Sequence, residues 1–331
     1  MLKNQPKEWI SVMPKKAAVV CNSGLGDAII SLMISNNFYL NGWDCDTYHD
    51  GIRSLQNWFS HLPVIGYSKP DEVQNFVAKY DMIVVFHSLS CDFVLELIRY
   101  GKKQSPEKIK VLYPYPSKNL IKEPYYSDSL FDINLSMGRN LERFCKDILK
   151  LEKVSKSNGF HPPKLLKNRK YYKRVILHVK SSREGKNWPR DKYVKLALHL
   201  KKLGYDPIIV AGGPRDEGDW REYIAPYKLE MPTFESLDAL ASYIYESGYM
   251  IGNDSGIGHL ASSFNLPTVI ISRRKSVARF WQPFWTECKT VSPYSLIPNI
   301  RGFRLRDRKW KSFITVKRVL RAFKSIHKIT N

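Results

Sequence analysis

Four short groups of residues in this chain have types and spacings that could do chemistry. The first is Asn253-Asp254-Ser255-Gly256-Ile257-Gly258-His259. It follows the apolar run Tyr249–Ile251 and precedes Leu260, Ala261 and Phe264, so it reads as strand, polar turn, helix. The first amides of such a helix lack intrahelical acceptors, and the helix dipole adds positive charge there. That end suits a phosphate or diphosphate. Gly256 and Gly258 weaken the helix where only a close approach of another group would justify it. His259 lies four residues after Ser255 and can share a face with the turn. The plainer alternative makes Asp254 or Ser255 a helix cap and His259 a half-buried histidine.

The second group is Gly24-Leu25-Gly26-Asp27, after the apolar run Ala17–Cys21 and before a helical pattern from Ala28 to Leu40. It is not a dinucleotide fingerprint, because the third glycine of G-x-G-x-x-G would fall on Ile29. It offers a carboxylate at a helix start on the C-terminal edge of a parallel sheet, where ligands collect. Asp27 can act there as a general base or simply as a first-turn acid stabilised by the dipole. The third group, His178 to Pro189, carries Lys180, Ser181, Ser182, Arg183 and Lys186 in one loop. Fixed cations and hydroxyls suit a departing diphosphate, although a solvated basic loop has the same composition. The fourth is Gly212-Gly213-Pro214 with Asp216 and Glu217 beyond, an ordinary loop or a place for a carboxylate on ribose hydroxyls. Asp44-Cys45-Asp46 imitates a metal-binding D-x-D pair, but it lies in the first half of the chain, away from the groups at 178–189 and 253–259 that suit a diphosphate.

These groups need elements to hold them. Short apolar runs at 17–21, 46–48, 81–86 and 109–113 alternate with helical patterns at 28–40, 54–61, 93–100 and 130–151. The polar stretch Glu152–Lys170, with Pro162-Pro163, reads as a linker. The alternation then restarts, with strands at 174–179, 207–211 and 268–271 and helices at 193–203 and 237–246. Such alternation predicts an α/β fold with parallel, helix-covered sheets. The expected division is residues 1–160, residues 171–310, and a basic C-terminal helix over 311–331. Between Arg301 and Lys328 eleven basic residues face one acid, Asp307. Val316, Val319, Leu320, Phe323 and Ile326 have helical spacing, so docking on the second domain is favoured over a helix lying on a membrane.

With 43% hydrophobic residues among 331, the chain can build full cores. Its 53 Lys and Arg against 31 Asp and Glu give a net charge of +22, which points to an anionic partner. No nucleic-acid-binding motif accompanies that charge. Five scattered cysteines without a C-x-x-C suit reduced thiols. No apolar stretch has signal-peptide or membrane-span character, so a cytoplasmic protein with access to the membrane surface is expected.

In order, G-L-G-D after the first strand, H-x-K-S-S-x-x-x-K-x-W-P, G-G-P-x-[DE] and G-N-D-S-G-x-x-H-L-A resemble the ADP-heptose:lipopolysaccharide heptosyltransferase family. The resemblance spans about residues 16–285. It implies a GT-B fold, two Rossmann-like domains facing across a cleft: an N-terminal acceptor domain and a C-terminal nucleotide-sugar domain. It implies inverting, metal-independent transfer of a heptose from ADP-heptose to the inner core of lipopolysaccharide, with no cofactor. Asp27 would deprotonate the acceptor hydroxyl, and Lys186 would meet the donor phosphates. Ser181 and Ser182 would lie beside it, and Asp216 or Glu217 would hold the ribose. Asp254, Ser255, Gly256 and His259 would surround the diphosphate and sugar, with Gly24 and Gly26 shaping the acceptor-side loop. The implied partners are ADP-heptose and an anionic glycolipid of lipid A–Kdo type at the inner face of the cytoplasmic membrane. Lys180 and Arg273-Arg274-Lys275 depart from the family pattern. Other readings are a GT-B transferase with a different donor or a protein acceptor, and a non-catalytic binder of anionic surfaces or nucleic acid.

Overall fold

A computed structural model describes residues 14–88, 91–113, 131–211, 214–299 and 303–327. The first half contains β1 (Lys16–Val20), α1 (Leu25–Leu40), β2 (Asp44–Tyr48), a 3-10 helix (Gly51–Trp58), β3 (Val64–Ile65), α2 (Val73–Lys79) and β4 (Met82–Phe86). It continues with α3 (Asp92–Gln104), β5 (Ile109–Leu112), α4 (Met137–Arg143) and a π-helical turn (Phe144–Ile148). The five strands are parallel in the order β3-β2-β1-β4-β5, and the order reverses between β1 and β4. The second half contains β6 (Tyr171–His178), α5 (Arg190–Lys202), β7 (Asp206–Val210), α6 (Pro214–Ile224), α7 (Leu237–Tyr245), β8 (Ser247–Asn253) and α8 (Gly256–Ser263). After these come β9 (Thr268–Ile271), α9 (Lys275–Trp281), β10 (Cys288–Val291), α10 (Leu305–Arg308), α11 (Trp310–Phe313) and α12 (Val316–His327). Its parallel order is β10-β9-β8-β6-β7, reversing between β6 and β8. A bridge from Ile208 to Glu230 extends that sheet by one rudimentary pairing beyond β7.

The two reversal points bring the starts of α1 and α8 to sheet edges where strands end, which is where ligands bind in open α/β sheets. The helix α1 is buried on every side from Ala28 to Phe38, including Ser31, Ser35, Asn36 and Asn37. A helix wrapped all round belongs in a core. Its polar residues have internal partners. Asn37 exchanges hydrogen bonds with the Ser155 backbone at 2.7 and 2.8 Å, and Asn41 does the same with Lys153 at 2.8 and 3.0 Å. Asn36 adds a 3.0 Å bond to the Ser157 carbonyl. The polar stretch read as a linker is thus strapped along α1 by Asn37 and Asn41, one helical turn apart, with Asn36 beside them.

One apolar core runs through both halves, joining α1 and the 3-10 helix to α7 and α8. Trp58 stacks on Phe264 with ring centroids 4.6 Å apart, and its Nε1 donates to Asp238 Oδ1 at 2.8 Å. Trp285 donates to the Lys156 carbonyl at 2.7 Å. At the centre of this contact α1 meets α8. A methyl group added to Gly256 would lie 2.7 Å from the Gly26 nitrogen, and one on Gly26 would lie 3.1 Å from the Gly256 Cα. The far face of the second sheet has its own core, where Val319, Phe323 and Ile326 of α12 are buried. The C-terminal helix is therefore docked, as its spacing predicts.

Several elements differ from the sequence reading. The helix expected over 54–61 is a 3-10 segment starting at Gly51, and the long helix expected over 130–151 is α4 followed by a π turn. The helices α2, α6 and α9 and the strands β3 and β10 are not among the elements the sequence reading predicts; β3 is only two residues long. No helix among the described residues is long and apolar enough to cross a membrane.

Trp58→Phe keeps the ring stack and removes one hydrogen bond, so it should cost about 1 kcal/mol and lower the melting temperature by about 2–4 °C. Gly256→Ala drives a methyl against backbone and should cost about 1–3 kcal/mol. Chemical denaturation of the two variants checks both values.

Candidate active site

At the end of β1 the chain turns through Asn22 and Ser23, whose amide donates to Asn22 Oδ1 at 2.8 Å. Gly24 is extended and caps α1 with its carbonyl, which accepts from Ala28 N at 2.9 Å. Asp27 is the third helical residue, and its carboxylate folds back over the cap. A methyl on Gly24 would lie 2.7 Å from Asp27 Oδ2, so the glycine leaves the space the carboxylate fills. The carboxylate makes no ion pair or side-chain hydrogen bond among the described residues. Burial pushes its pKa up to about 6, against the pull of Lys186 and with a further push from Asp254.

The second half supplies the opposite wall. Asn253, fully buried at the end of β8, donates to the Val179 carbonyl at 2.9 Å and accepts from Trp188 N at 2.9 Å. It thereby pins both ends of the 179–188 loop. Within the loop, Asn187 Oδ1 accepts from the Ser181 amide and hydroxyl, both at 2.9 Å. A 3-10 turn at Glu184–Lys186 then brings Lys186 Nζ to 3.4 Å from Asp254 Oδ2. Ser255 is the N-cap residue of α8, but its hydroxyl does not cap the helix. It lies 3.1 Å from His178 Nδ1 instead. The Gly258 amide donates to the Ser255 carbonyl at 3.1 Å, and those of Gly256 and Ile257 are left for another acceptor.

His259, on the first turns of α8, faces the other half: a methyl on Gly26 would lie 2.9 Å from its Cδ2. Its Nδ1 is buried and has no hydrogen-bond partner among the described residues. Desolvation lowers the pKa of His259 to about 4, and that of His178 likewise. Both rings are therefore neutral at pH 7. The site thus combines one carboxylate of raised pKa, one lysine, one helix start with open amides and two neutral imidazoles.

The structure brings together Gly24, Gly26, Asp27, Lys186, Asp254, Ser255, Gly256 and His259. Ser181 lies in the same loop, but its hydroxyl serves the loop's own structure; Ser182 is exposed. Glu217 is on α6, beyond the end of β7, and lies 3.8 Å from Arg221 within its own helix. The Asp216 side chain lies outside the described residues. Asp46 of the D-x-D look-alike is engaged by Lys79 at 3.0 Å and by the Tyr80 hydroxyl. Lys102, Lys103 and Lys108 lie at the end of α3 and before β5, the sheet edge opposite Asp27, so they do not line this site. Lys118 and Lys122 lie outside the described residues. Sequence reasoning gave no role to Asn253, Asn187 or His178; the one available signal was an asparagine ending an otherwise apolar strand.

Residues 147–292 match the model of glycosyltransferase family 9 (heptosyltransferase). The lipopolysaccharide heptosyltransferase 1 of Campylobacter coli is 28% identical over 135 residues, a stretch that spans 39% of either chain. Among solved structures, the E. coli ADP-heptose lipopolysaccharide heptosyltransferase II superposes with a TM-score of 0.65 at 16% identity, covering 94% of this chain and 98% of that one. A family 9 glycosyltransferase from Veillonella parvula gives 0.66 at 15% identity, with 94% and 97% covered. E. coli heptosyltransferase WaaC with ADP gives 0.62 at 14% identity, with 94% and 100% covered. The fold is thus the one these GT-B heptosyltransferase structures share, and residues 147–292 are similar to the glycosyltransferase family 9 (heptosyltransferase) domain.

Proposed function

We propose that this protein is an inverting, metal-independent glycosyltransferase that moves a heptose from ADP-heptose to the inner core of lipopolysaccharide. The observation that carries this reading is the meeting of Asp27 with Lys186, Asp254 and the start of α8 between the two halves. Donor diphosphate would sit on the amides of Ser255–Gly256 and on Lys186, exchanging the Lys186–Asp254 contact for phosphate oxygens. Asp27, ionised above about pH 6, would take the proton of the acceptor hydroxyl as it attacks the anomeric carbon opposite the diphosphate. One displacement inverts that carbon. Charge developing on the leaving group would be met by Lys186 and the helix start, which is the ground for assigning no metal. The +22 charge agrees with an anionic glycolipid acceptor of lipid A–Kdo type at a membrane surface. Glu217, with Asp216, stands beyond the second strand of its sheet, where a ribose-binding acid is found in such folds.

Three measurements test the reading. ADP should raise the melting temperature in proportion to the logarithm of its concentration, while UDP and GDP at equal concentration should do so far less; equal shifts from all three would remove ADP as the nucleotide. Asp27→Asn should lower kcat by about 10²–10⁴ while leaving the ADP shift intact, and Lys186→Gln should lower kcat by about 10²–10³. Transfer by wild type should rise with pH through about 6, the folded-state value of Asp27. The same group has a stability signature. Its pKa is higher folded than unfolded, so it favours the fold at low pH and loses that contribution as pH rises from the ordinary carboxylate range through about 6. Asp27→Asn should therefore be more stable than wild type at pH 8, by about 1–3 kcal/mol, with the difference shrinking toward pH 4. Urea titrations at the two pH values read this directly.

A further inference from the structure

Beside the site, on the same edge of the second sheet, three arginines converge on one acid. Asp307 on α10 has a side chain only 4% exposed. Arg274 NH2 lies 3.0 Å from its Oδ2 and Arg273 NH2 4.0 Å away, and Arg304 also donates to Oδ2. The Asn299 side chain accepts from the Asp307 amide at 3.2 Å and fixes the acid from behind. Burial alone would raise the Asp307 carboxyl, but the bonds from Arg274 and Arg304 more than offset it and hold it below its usual range.

The charges of this cluster do not balance. All three guanidinium ion pairs run to a single carboxylate, which leaves two positive charges in excess. The Nε of Arg273 is buried and has no hydrogen-bond partner among the described residues. A buried donor left unpaired is costly, and like charges gathered within a few ångströms repel. The guanidinium groups are also not sealed off: the side chains of Arg273, Arg274 and Arg304 are 39%, 46% and 54% exposed. Asp307 thus holds the arginines in place and leaves donors facing outward.

Position links the cluster to the reaction. In the β8–β9 ladder Asn253 pairs with Ile271, and Asp254 N donates to the Ile271 carbonyl at 3.2 Å. Neighbouring strands lie about 4.8 Å apart. The segment Ser272-Arg273-Arg274 therefore leaves the sheet one strand away from Asp254 and the start of α8. The backbone that carries Arg273 and Arg274 thus starts next to the strand end that carries Asp254.

We propose that Arg273, Arg274 and Arg304, ordered by Asp307, form an anion subsite that binds a phosphate or carboxylate carried by one of the sugar substrates, distinct from the donor diphosphate. The fork geometry of arginine suits such planar or tetrahedral oxyanions. The subsite makes an anionic substituent on the acceptor, or on the transferred sugar, a condition of tight binding. It rests on the glycosyl-transfer reading for its substrate class but not for its existence.

The first test uses inorganic phosphate as probe, at constant ionic strength against chloride. Phosphate should raise the melting temperature of wild type, have little effect on the double variant Arg274→Gln/Arg304→Gln, and raise that of Asp307→Asn more than wild type. The last variant removes the internal competitor while keeping all three cations, so a purely structural ion pair would give the opposite ranking or none. The second test locates the anion. For wild type and the double variant, KM is measured with a core glycolipid before and after phosphatase treatment, and with an ADP-sugar bearing or lacking a carboxylate. Loss in the double variant of about a tenfold preference for the charged member of either pair supports the subsite and names its source. Identical phosphate responses in all three proteins, with unchanged preferences in both pairs, would overturn it. Should wild type transfer no sugar at all while the phosphate ranking holds, the glycosyl-transfer reading fails and the anion site stands.

Discussion

The site depends on two helix starts meeting where neither has a side chain. Gly26 and Gly256 are in backbone contact, and a single methyl at either position would collide with the opposite chain. This contact sets the separation of the two halves. It places Asp27, one residue beyond Gly26, against the groups that follow β8. It also lets His259 fill the remaining gap with its ring. Glycine in the first turn of a helix has a cost in helix propensity. Here the gain is an approach that no residue with a Cβ permits.

That geometry has an electrostatic consequence. Both helix starts carry partial positive charge, which alone would keep a nearby carboxylate readily ionised. Asp27 nevertheless has its pKa raised to about 6, because burial between the halves outweighs the pull of Lys186, and Asp254 adds repulsion. A carboxylate held there is ionised at neutral pH yet keeps more proton affinity than an exposed one, the compromise that general-base work requires. The same burial drives both histidines the other way, to about 4. Burial thus shifts all three groups, the carboxylate up and the two imidazoles down.

The parts of the site legible beforehand were those fixed by local rules. A strand, a glycine turn and a helix bearing Asp27, and a strand, a polar turn and a helix bearing His259, follow from periodicity and turn chemistry. Two such units also implied parallel sheets. What stayed hidden was set by contacts distant in sequence. Asn253 read as one more turn residue, whereas its amide holds Val179 and Trp188. Ser181 and Ser182 read as phosphate ligands, yet Ser181 is spent on Asn187. Sequence does not say which end of a sheet Lys102, Lys103 and Lys108 reach; they stand at the end opposite Asp27. The helix α6 was not read because the sequence Gly212-Gly213-Pro214 before it suggests a loop.

The apolar contact between the halves limits how they can move. Separating them at Trp58 would expose that indole and the Phe264 ring, each burying on the order of 150–250 Å². Part of that area would be exposed, and the Trp58–Asp238 and Trp285–Lys156 hydrogen bonds would be broken. The asparagine strap adds to this, since it ties residues 153–157 to α1 rather than leaving them as a free tether. A wide swing about this region is therefore strongly disfavoured against thermal energy. The adjustments open to the site are smaller ones: the 179–188 loop pivoting about Asn253, and Lys186 exchanging Asp254 for a ligand. A site built this way owes its alignment to a fused core, so Asp27 and Lys186 stand in register before any ligand arrives.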